Sequence, residues 1–316
     1  MMRRIMEIEM VPYHTHISVL LRRSVNLLIT DTEGIYVDAT LGGGGHSREI
    51  LARVGSGASV YGIDQDRDAL EEAVAKLGED SRFLPVEGNF GFLSTLLPPE
   101  IHGRISGILF DLGVSTHQIR EPERGFSFQN EGPLDMRMSE RTGLSAWQVV
   151  NEYSYEKLRD VIFHLGEERM SRRIASSIIE NRPLETTADL REAVKAVVYG
   201  PQTVKSLARV FQAVRIEVNQ ELEMLKTALQ ESLSLLKPGG RIAAISYHSL
   251  EDRIVKIFFK SGNHEGRIEK DFYGHEISQI KPVVKQVITP TDEEISMNPA
   301  SRSAKLRIAQ KSEEVQ

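Results

Sequence analysis

The sequence predicts an α/β protein in which a doubly wound, Rossmann-like sheet is interrupted by an all-helical insertion. Three observations support this fold class. Short apolar runs alternate with amphipathic helical patterns from residue 35 to residue 110, as expected for parallel strands that helices cover on both faces. The alternation stops between about residues 120 and 215, where only helical patterns occur. It then resumes in the last third of the chain.

The first part of the chain contains four predicted strands. Each is a continuous apolar run, and they lie at 35–39, 60–63, 83–86 and 105–110. Glycines at 42–45 follow the first strand and precede a helical pattern, and a second helix is predicted around 69–77. This order brings the carboxyl ends of the strands to one edge of the sheet, where open α/β sheets bind ligands.

The middle and last parts of the chain follow different patterns. Helices are predicted at 145–151, 155–164, 167–181 and 187–198. We then expect a long helix at 217–236, a strand at 242–247 and a helix at 250–259. A loop at 260–282 and two strands, at 283–289 and 304–309, should follow. The predicted organisation is therefore a first sheet segment at 1–119, a helical insertion that recognises the substrate at 120–214, and a second sheet segment at 215–316.

Composition places the chain among ordinary globular proteins. Of its 316 residues, 40% are hydrophobic and 27% are charged, so the chain can bury a core. It contains no cysteine, which excludes disulfides, thiolate nucleophiles and cysteine-based zinc sites. No apolar run approaches the about 20 residues that span a bilayer, and the N-terminus lacks a signal-peptide pattern. We therefore expect a cytoplasmic protein with no membrane partner.

The charge is unevenly distributed. The net charge of −6 argues against binding of nucleic acid by bulk charge alone. Residues 116–213 hold 14 basic and 14 acidic residues, so the whole acidic excess lies outside them. The middle segment should thus repel a polyanion less than the rest of the chain does. A segment with equal numbers of basic and acidic residues is, however, also typical of a solvated helical surface.

The predicted sheet edge has the features of an adenosine-type cofactor site. Glycine backbone at 42–45 lets a ligand approach closely, and Asp64 closes the next strand, where a carboxylate can accept both ribose hydroxyls. The alternative is a sharp turn with a capping Asp. The dinucleotide fingerprint fits only loosely. Asp111 at the end of the fourth strand, and the Lys-Pro-Gly-Gly turn at 237–240, favour S-adenosylmethionine over NAD.

A series of motifs then resembles one family. They are DATLGGGGHS at 38–47, DLGVS at 111–115, ERGFSF at 123–128, GPLDMRM at 132–138, GEER at 166–169, RVFQAVRI at 209–216, HSLEDR at 248–253, and NP with RSAKLR between 298 and 307. In this order they resemble the bacterial 16S rRNA cytosine-N4 methyltransferases of the MraW (RsmH) family, from about His16 to Gln310. The chain departs from the usual family residues at three positions: Arg23 replaces Glu, His117 replaces Pro and Arg120 replaces Asp.

The resemblance implies a class I methyltransferase sheet, S-adenosylmethionine as cofactor, and 16S rRNA or the small ribosomal subunit as partner. It implies that Gly44, Gly45 and His46 contact the methionine or ribose part, that Asp64 holds the ribose hydroxyls and that Phe90 lies against the adenine. It also implies that Asp111 and Gln118 complete the pocket. A homodimer is an open expectation.

For the reaction, we hypothesise that Asp111 or nearby main-chain carbonyls accept hydrogen bonds from the cytosine amine, whose lone pair is delocalised into the ring. The alternative is a purely cofactor-binding or structural Asp111. Candidate RNA contacts are the arginines that meet phosphates, the aromatic residues that stack on bases, and two residues in motifs expected near the site: Arg124, Arg137, Arg172, Arg173, Arg253, Phe126, Phe128, Trp147, Asp135 and His248.

Two other function classes remain open on sequence grounds. One is a non-catalytic rRNA-binding assembly factor that retains a cofactor pocket, which the departures at His117 and Arg120 keep under consideration. The other is a NAD-linked oxidoreductase with a helical substrate domain, which the motif series disfavours. No metal site is expected, because His14 and His16 lack further ligands at useful spacing.

Overall fold

The computed structural model describes residues 18–139, 143–270, 272–274 and 276–313, so His14 and His16 lie outside the described part of the chain. The strands are β1 (Ile35–Asp38), β2 (Ser59–Asp64), β3 (Phe83–Glu87), β4 (Ile105–Asp111), β5 (Leu236–Ser246), β6 (Glu269–Lys270), β7 (Glu276–Ile277), β8 (Ile280–Pro282) and β9 (Lys305–Lys311). The helices are α1 (Leu21–Leu28), α2 (Gly45–Leu51), α3 (Arg67–Leu77), α4 (Leu93–Leu96), α5 (Thr116–Arg120), α6 (Ala146–Glu152), α7 (Tyr155–His164), α8 (Ser171–Glu180), α9 (Thr187–Lys195), α10 (Thr203–Asn219), α11 (Glu221–Leu235), α12 (Ser249–Ser261) and α13 (Asp292–Met297).

Seven strands form one sheet in the order β3-β2-β1-β4-β5-β9-β8. The first five are parallel, and β9 runs antiparallel to both β5 and β8. The strand order reverses between β1 and β4, which creates the switch point where doubly wound sheets bind ligands. The predicted Rossmann-like α/β sheet is therefore confirmed, with an antiparallel edge that an all-parallel dinucleotide-binding sheet does not have.

The central strands read as continuous apolar runs because helices cover both faces of the sheet. In β4, Ile108 and Phe110 pack in the core on the side of α11 and α12. Leu109 points the other way and packs in the core on the side of α1. Each of these three side chains is fully buried. This two-sided burial holds the strand ends, and so the site at their carboxyl edge, in fixed positions.

The helices from α6 to α10 enclose a hydrophobic core of their own, in which Leu158, Ile174, Leu190 and Val210 are fully buried. Within the described part of residues 120–215, the β contact is an isolated bridge between Pro133 and Thr186. The helical segment therefore packs around its own centre. No described helix is both long and apolar enough to cross a membrane.

Several sequence expectations about the second half were wrong. The helix predicted at 217–236 starts too early, because Gln220 adopts a left-handed conformation with φ of 50° between α10 and α11. Helix α10 was predicted only at its end, from residue 217 to residue 219. The strand expected at 283–289 is absent, and only Ile288 makes a bridge there, to Leu306. The segment 260–282 contains the short strands β6, β7 and β8 rather than a plain loop.

Asn219, the last residue of α10, holds the helical segment together beneath the site. Its Nδ2 donates to the Met136 carbonyl at 2.8 Å, and its Oδ1 accepts from the Met138 N–H at 2.8 Å. We expect Asn219→Leu to leave both buried groups unpaired and to lower the free energy of unfolding by about 2–4 kcal/mol. Urea denaturation measures this. Thr227→Ala, on the exposed side of α11, should stay within about 0.5 kcal/mol of the parent, and equal effects of the two changes would contradict the prediction.

Candidate active site

The carboxyl ends of β1, β2 and β4 meet at the switch point of the sheet and each ends in an aspartate. These are Asp38, Asp64 and Asp111. Asp38 is fully buried and accepts a hydrogen bond from the Ser47 hydroxyl at 2.8 Å, which ties β1 to α2. Burial raises the pKa of Asp38 to about 6. Asp38 thus has a structural contact with the start of α2, whereas Asp64 and Asp111 are only partly buried.

The glycine loop between β1 and α2 is pinned to Asp64. The Gly42 N–H donates to Asp64 Oδ2 at 2.8 Å, and the Asp66 N–H donates to Asp64 Oδ1 at 2.9 Å. Gly42 and Gly44 have φ angles of 48° and 77°, a region that favours glycine. A Cβ on Gly42 would meet nothing within 4 Å, so this side of the loop is open to a ligand.

The carboxylate of Asp64 keeps acceptor capacity toward that open side. Each of its oxygens accepts one backbone N–H, and a carboxylate oxygen has a second lone pair available. Burial raises the pKa of Asp64 to about 6, although the two N–H bonds act in the opposite direction. The group is therefore oriented before any ligand arrives and can accept two neighbouring hydroxyls.

Asp111 is partly accessible at the switch point, with 18% of its side chain exposed. Its Oδ1 accepts from the Tyr247 hydroxyl at 2.9 Å, and its Oδ2 lies 3.7 Å from Nδ1 of the buried His46. Its backbone N–H donates to Thr40 Oγ1 at 2.6 Å. Burial raises the pKa of Asp111 to about 7, despite the opposing hydrogen bond from Tyr247. Near neutral pH this carboxyl can therefore hold or release a proton.

Sequence reasoning missed Tyr247, which directly follows β5. Strands β4 and β5 are parallel neighbours, and Asp111 pairs in register with Ile245. The strand order therefore brings Tyr247 to Asp111 although 136 residues separate them. A tyrosine directly after a central strand was the available signal, but its use required knowing which strands are adjacent.

Beneath Tyr247, Glu251 organises the start of α12. Its Oε2 accepts from the Tyr247 N–H at 2.9 Å, and its Oε1 lies 3.1 Å from His248 Nε2. Burial favours a raised pKa for Glu251, but the contacts with His248, the Tyr247 N–H and Arg215 outweigh it and lower the pKa. Glu251 is thus a buried anion that fixes the backbone on which Tyr247 is mounted.

Glu221 approaches His248 and Glu251, and their ligand atoms lie within 4.8 Å of one another. Arg215 donates to both oxygens of Glu221, at 2.7 and 2.8 Å. Arg215 therefore compensates the charge of Glu221, and the contacts join the end of α10 to α11. We assign this group a structural role.

Phe90 and Gln118 each contact a residue near the carboxyl end of a strand. The half-buried Phe90 ring meets Phe110 edge-on, with ring centroids 5.9 Å apart. Gln118 is buried, and its Nε2 donates to Asp66 Oδ2 at 2.7 Å. Asp66 in turn caps α3 directly after Asp64. Gln118 therefore connects the DLGVS motif to the turn after β2.

Most of the arginines predicted to meet RNA already have acidic partners. Arg124 pairs with Asp66 at 2.8 Å. The other two pairs, at 2.6 and 3.0 Å respectively, are Arg137 with Asp135 and Arg253 with Glu167. The predicted aromatic contacts also have protein partners: Phe126 packs in the helical core, Phe128 meets Phe211 edge-on, and the Trp147 indole N–H donates to Glu185. Their roles toward RNA stay predictions.

Comparison with known proteins identifies the family. The sequence matches the profile described as the MraW methylase family over residues 13–312. The chain belongs to the MraW methylase family. Ribosomal RNA small subunit methyltransferase H of Parabacteroides distasonis is 48% identical over 300 residues, covering 94% of this chain and 97% of that protein. The protein of the same name from Flavobacterium johnsoniae is 48% identical over 303 residues, with the same coverage.

Among solved structures, an rRNA methylase from Streptococcus thermophilus aligns with a TM-score of 0.41 and 14% identity, covering 95% of this chain and 100% of that chain. Membership of the MraW methylase family confirms the resemblance drawn from the motifs. The protein is therefore a methyltransferase. The glycine loop pinned to Asp64 and the partly exposed Asp111 both lie at the carboxyl ends of the strands.

Proposed function

We propose that this chain transfers a methyl group from S-adenosylmethionine to the exocyclic N4 of a cytosine in the decoding region of 16S rRNA. The names of its relatives support the rRNA substrate. The main support for methyl transfer to an amine is the position of Asp111, whose partly exposed carboxyl accepts a hydrogen bond from Tyr247 at the switch point. The absence of cysteine agrees with direct attack by nitrogen, because methylation at cytosine C5 proceeds through a cysteine adduct.

The residues around the loop fit the cofactor. S-adenosylmethionine supplies an electrophilic methyl group on its sulfonium. Asp64 would accept the ribose hydroxyls, Phe90 would cover the adenine, and Gly44, Gly45 and His46 would line the methionine or ribose part. Gln118 fixes the adjoining turn through Asp66. The fit rests on the open side of Gly42 and the spare lone pairs of Asp64.

Asp111 then acts on the acceptor. Its carboxylate accepts a hydrogen bond from the cytosine amine, which localises the nitrogen lone pair and stabilises the positive charge that develops on it. Tyr247 and the Thr40 hydroxyl hold Asp111 in place, and a proton released from the amine is held at Oδ2 or passed to water. Residues that hold the cytosine amine in one orientation beside the donor pocket would add to the rate enhancement.

The helical insertion, residues 120–214, recognises the RNA. It contacts the sheet segment beside the donor pocket, through Arg124 on Asp66 and through Glu167 on Ser249 and Arg253. Because the substrate is a ribosomal subunit, the enzyme works in the cytoplasm. The predicted homodimer is checked by light scattering of the purified protein.

Nucleoside mass spectrometry tests the proposal. The purified chain is incubated with S-adenosylmethionine and small ribosomal subunits from a strain that lacks this gene. We expect one N4-methylcytidine per 16S rRNA. A 5-methylcytidine product would overturn the N4 assignment. RNA binding without transfer would favour the assembly factor, and binding of NADH in place of S-adenosylmethionine would favour the oxidoreductase.

Tyr247→Phe tests the link between Tyr247 and Asp111. Removing the hydroxyl that donates to the carboxylate raises the pKa of Asp111, so the ionised form is populated only at higher pH. We expect kcat to fall about tenfold more at about pH 6 than at about pH 9. Tyr61→Phe, on β2 and away from Asp111, serves as the control. An equal loss at every pH would contradict the proposed coupling.

A further inference from the structure

Three arginines at the start of α8 differ from the other candidate RNA contacts. Arg169, Arg172 and Arg173 are exposed, and within the described ranges no carboxylate forms an ion pair with any of them. We call these three residues the α8 arginine row. By contrast, Arg124 and Arg253 are each neutralised by an acidic side chain. The row therefore presents uncompensated positive charge in a segment whose formal charge is balanced.

Two arginines of the row lie in the first turn of a helix. Helix α8 has no acidic residue in its first turn and no side-chain cap, and Arg172 and Arg173 occupy that turn. The positive end of a helix dipole disfavours cations there. An anion that binds the guanidinium groups would relieve this repulsion, which gives the row an electrostatic preference for a polyanion.

The row also borders a surface cavity of about 280 Å³. Arg172, Arg173 and Ser176 line one side, Tyr155 of α7 lines another, and Glu180 is also part of the lining. Arginine, serine and tyrosine side chains carry donors for phosphate oxygens. The half-buried Tyr155 ring packs against the helical core with the Arg159 guanidinium over it, and its hydroxyl is a hydrogen-bond donor. The cavity thus places several phosphate donors side by side.

The row begins at the rim of the active site. Glu167 lies two residues before Arg169, and its carboxylate accepts from Arg253 at 3.0 Å and from the Ser249 hydroxyl. Ser249 starts α12, directly after His248 and Tyr247. The segment that carries the row is therefore joined to the segment that carries Tyr247 through the contacts of Glu167.

We propose that the α8 arginine row and Tyr155 bind the phosphates of the RNA strand that flanks the target cytosine. The inference rests on the proposed function and deepens it by assigning the backbone-binding surface. Extended RNA presents one phosphate per nucleotide, and guanidinium groups bind phosphate oxygens in bidentate geometry. The row adds affinity and register, whereas the chemistry stays at Asp111.

The test compares two matched double variants. Arg172→Gln with Arg173→Gln removes two charges from the row. Lys256→Gln with Lys260→Gln removes two exposed charges from α12 that form no ion pair with any described residue. Filter binding of a radiolabelled 16S rRNA transcript over a series of KCl concentrations gives Kd and its salt dependence. Methyl transfer to the small subunit gives kcat and KM, and calorimetry gives the Kd for S-adenosylmethionine.

We expect the row variant to raise the Kd for the transcript about tenfold or more and to reduce the slope of log affinity against log salt by about two. KM should rise similarly, while kcat and the Kd for S-adenosylmethionine stay unchanged. The α12 variant should resemble the parent. Adding Arg169→Gln should weaken binding further.

Three outcomes would overturn the assignment: an unchanged Kd in the row variant, an equal loss in the α12 variant, or a loss with small subunits but not with the protein-free transcript. The last outcome would indicate that the row binds an acidic ribosomal protein and not the RNA. If the parent enzyme transfers no methyl group to any rRNA, the proposed function fails. If it does and the row variant binds normally, only this inference fails.

Discussion

Asp111→Asn is expected to lower kcat for methyl transfer by about 10²- to 10⁴-fold, while the Kd for S-adenosylmethionine changes little. The amide keeps the size of the side chain and still accepts from the Tyr247 hydroxyl, but it has no negative charge to stabilise the developing cation. Single-turnover kinetics with saturating RNA and cofactor measures the effect. Intact turnover would remove Asp111 from the chemistry, and a large loss of cofactor affinity would make it a binding residue only.

The same variant has a signature in stability. Burial raises the pKa of Asp111 to about 7, above its ordinary value. Between the two values the unfolded chain has lost a proton that the folded chain keeps, so this group lowers stability as pH rises through that window. The loss is complete above about pH 7. Asn has no proton to lose, so Asp111→Asn does not undergo this loss of stability. The melting temperature of the variant minus that of the parent should therefore be larger at about pH 8.5 than at about pH 5.

Asp64→Ala is expected to weaken S-adenosylmethionine binding by about 10²- to 10³-fold, which calorimetry measures directly. The change removes the acceptor for the ribose hydroxyls and frees the Gly42 and Asp66 N–H groups that pin the loop. Asp292→Asn, an exposed acid in the first turn of α13, is the control and should bind normally. Equal cofactor affinity in Asp64→Ala and the parent would contradict the assignment of the pocket.

Local pattern was sufficient for the sheet. The runs that became β1 to β4 were predicted because a strand buried on both faces is apolar at nearly every position. The glycine loop and the acids at the strand ends were placed together by chain order alone, since parallel strands bring their carboxyl ends to one edge. The second half was harder, because the break at Gln220 lies inside a continuous helical pattern and carries no glycine or proline.

The sequence by itself therefore determined the fold class, the family and the acids at the switch point, because these depend on periodicity, on residue order and on motifs along the chain. Only the tertiary structure decided which side chains meet. It brought Tyr247 to Asp111 through the pairing of β4 with β5, and it paired Arg124 with Asp66. It left Arg172 without an acidic partner in the described part of the chain. Charge compensation depends on distances of a few ångströms between residues far apart in sequence, and packing sets those distances.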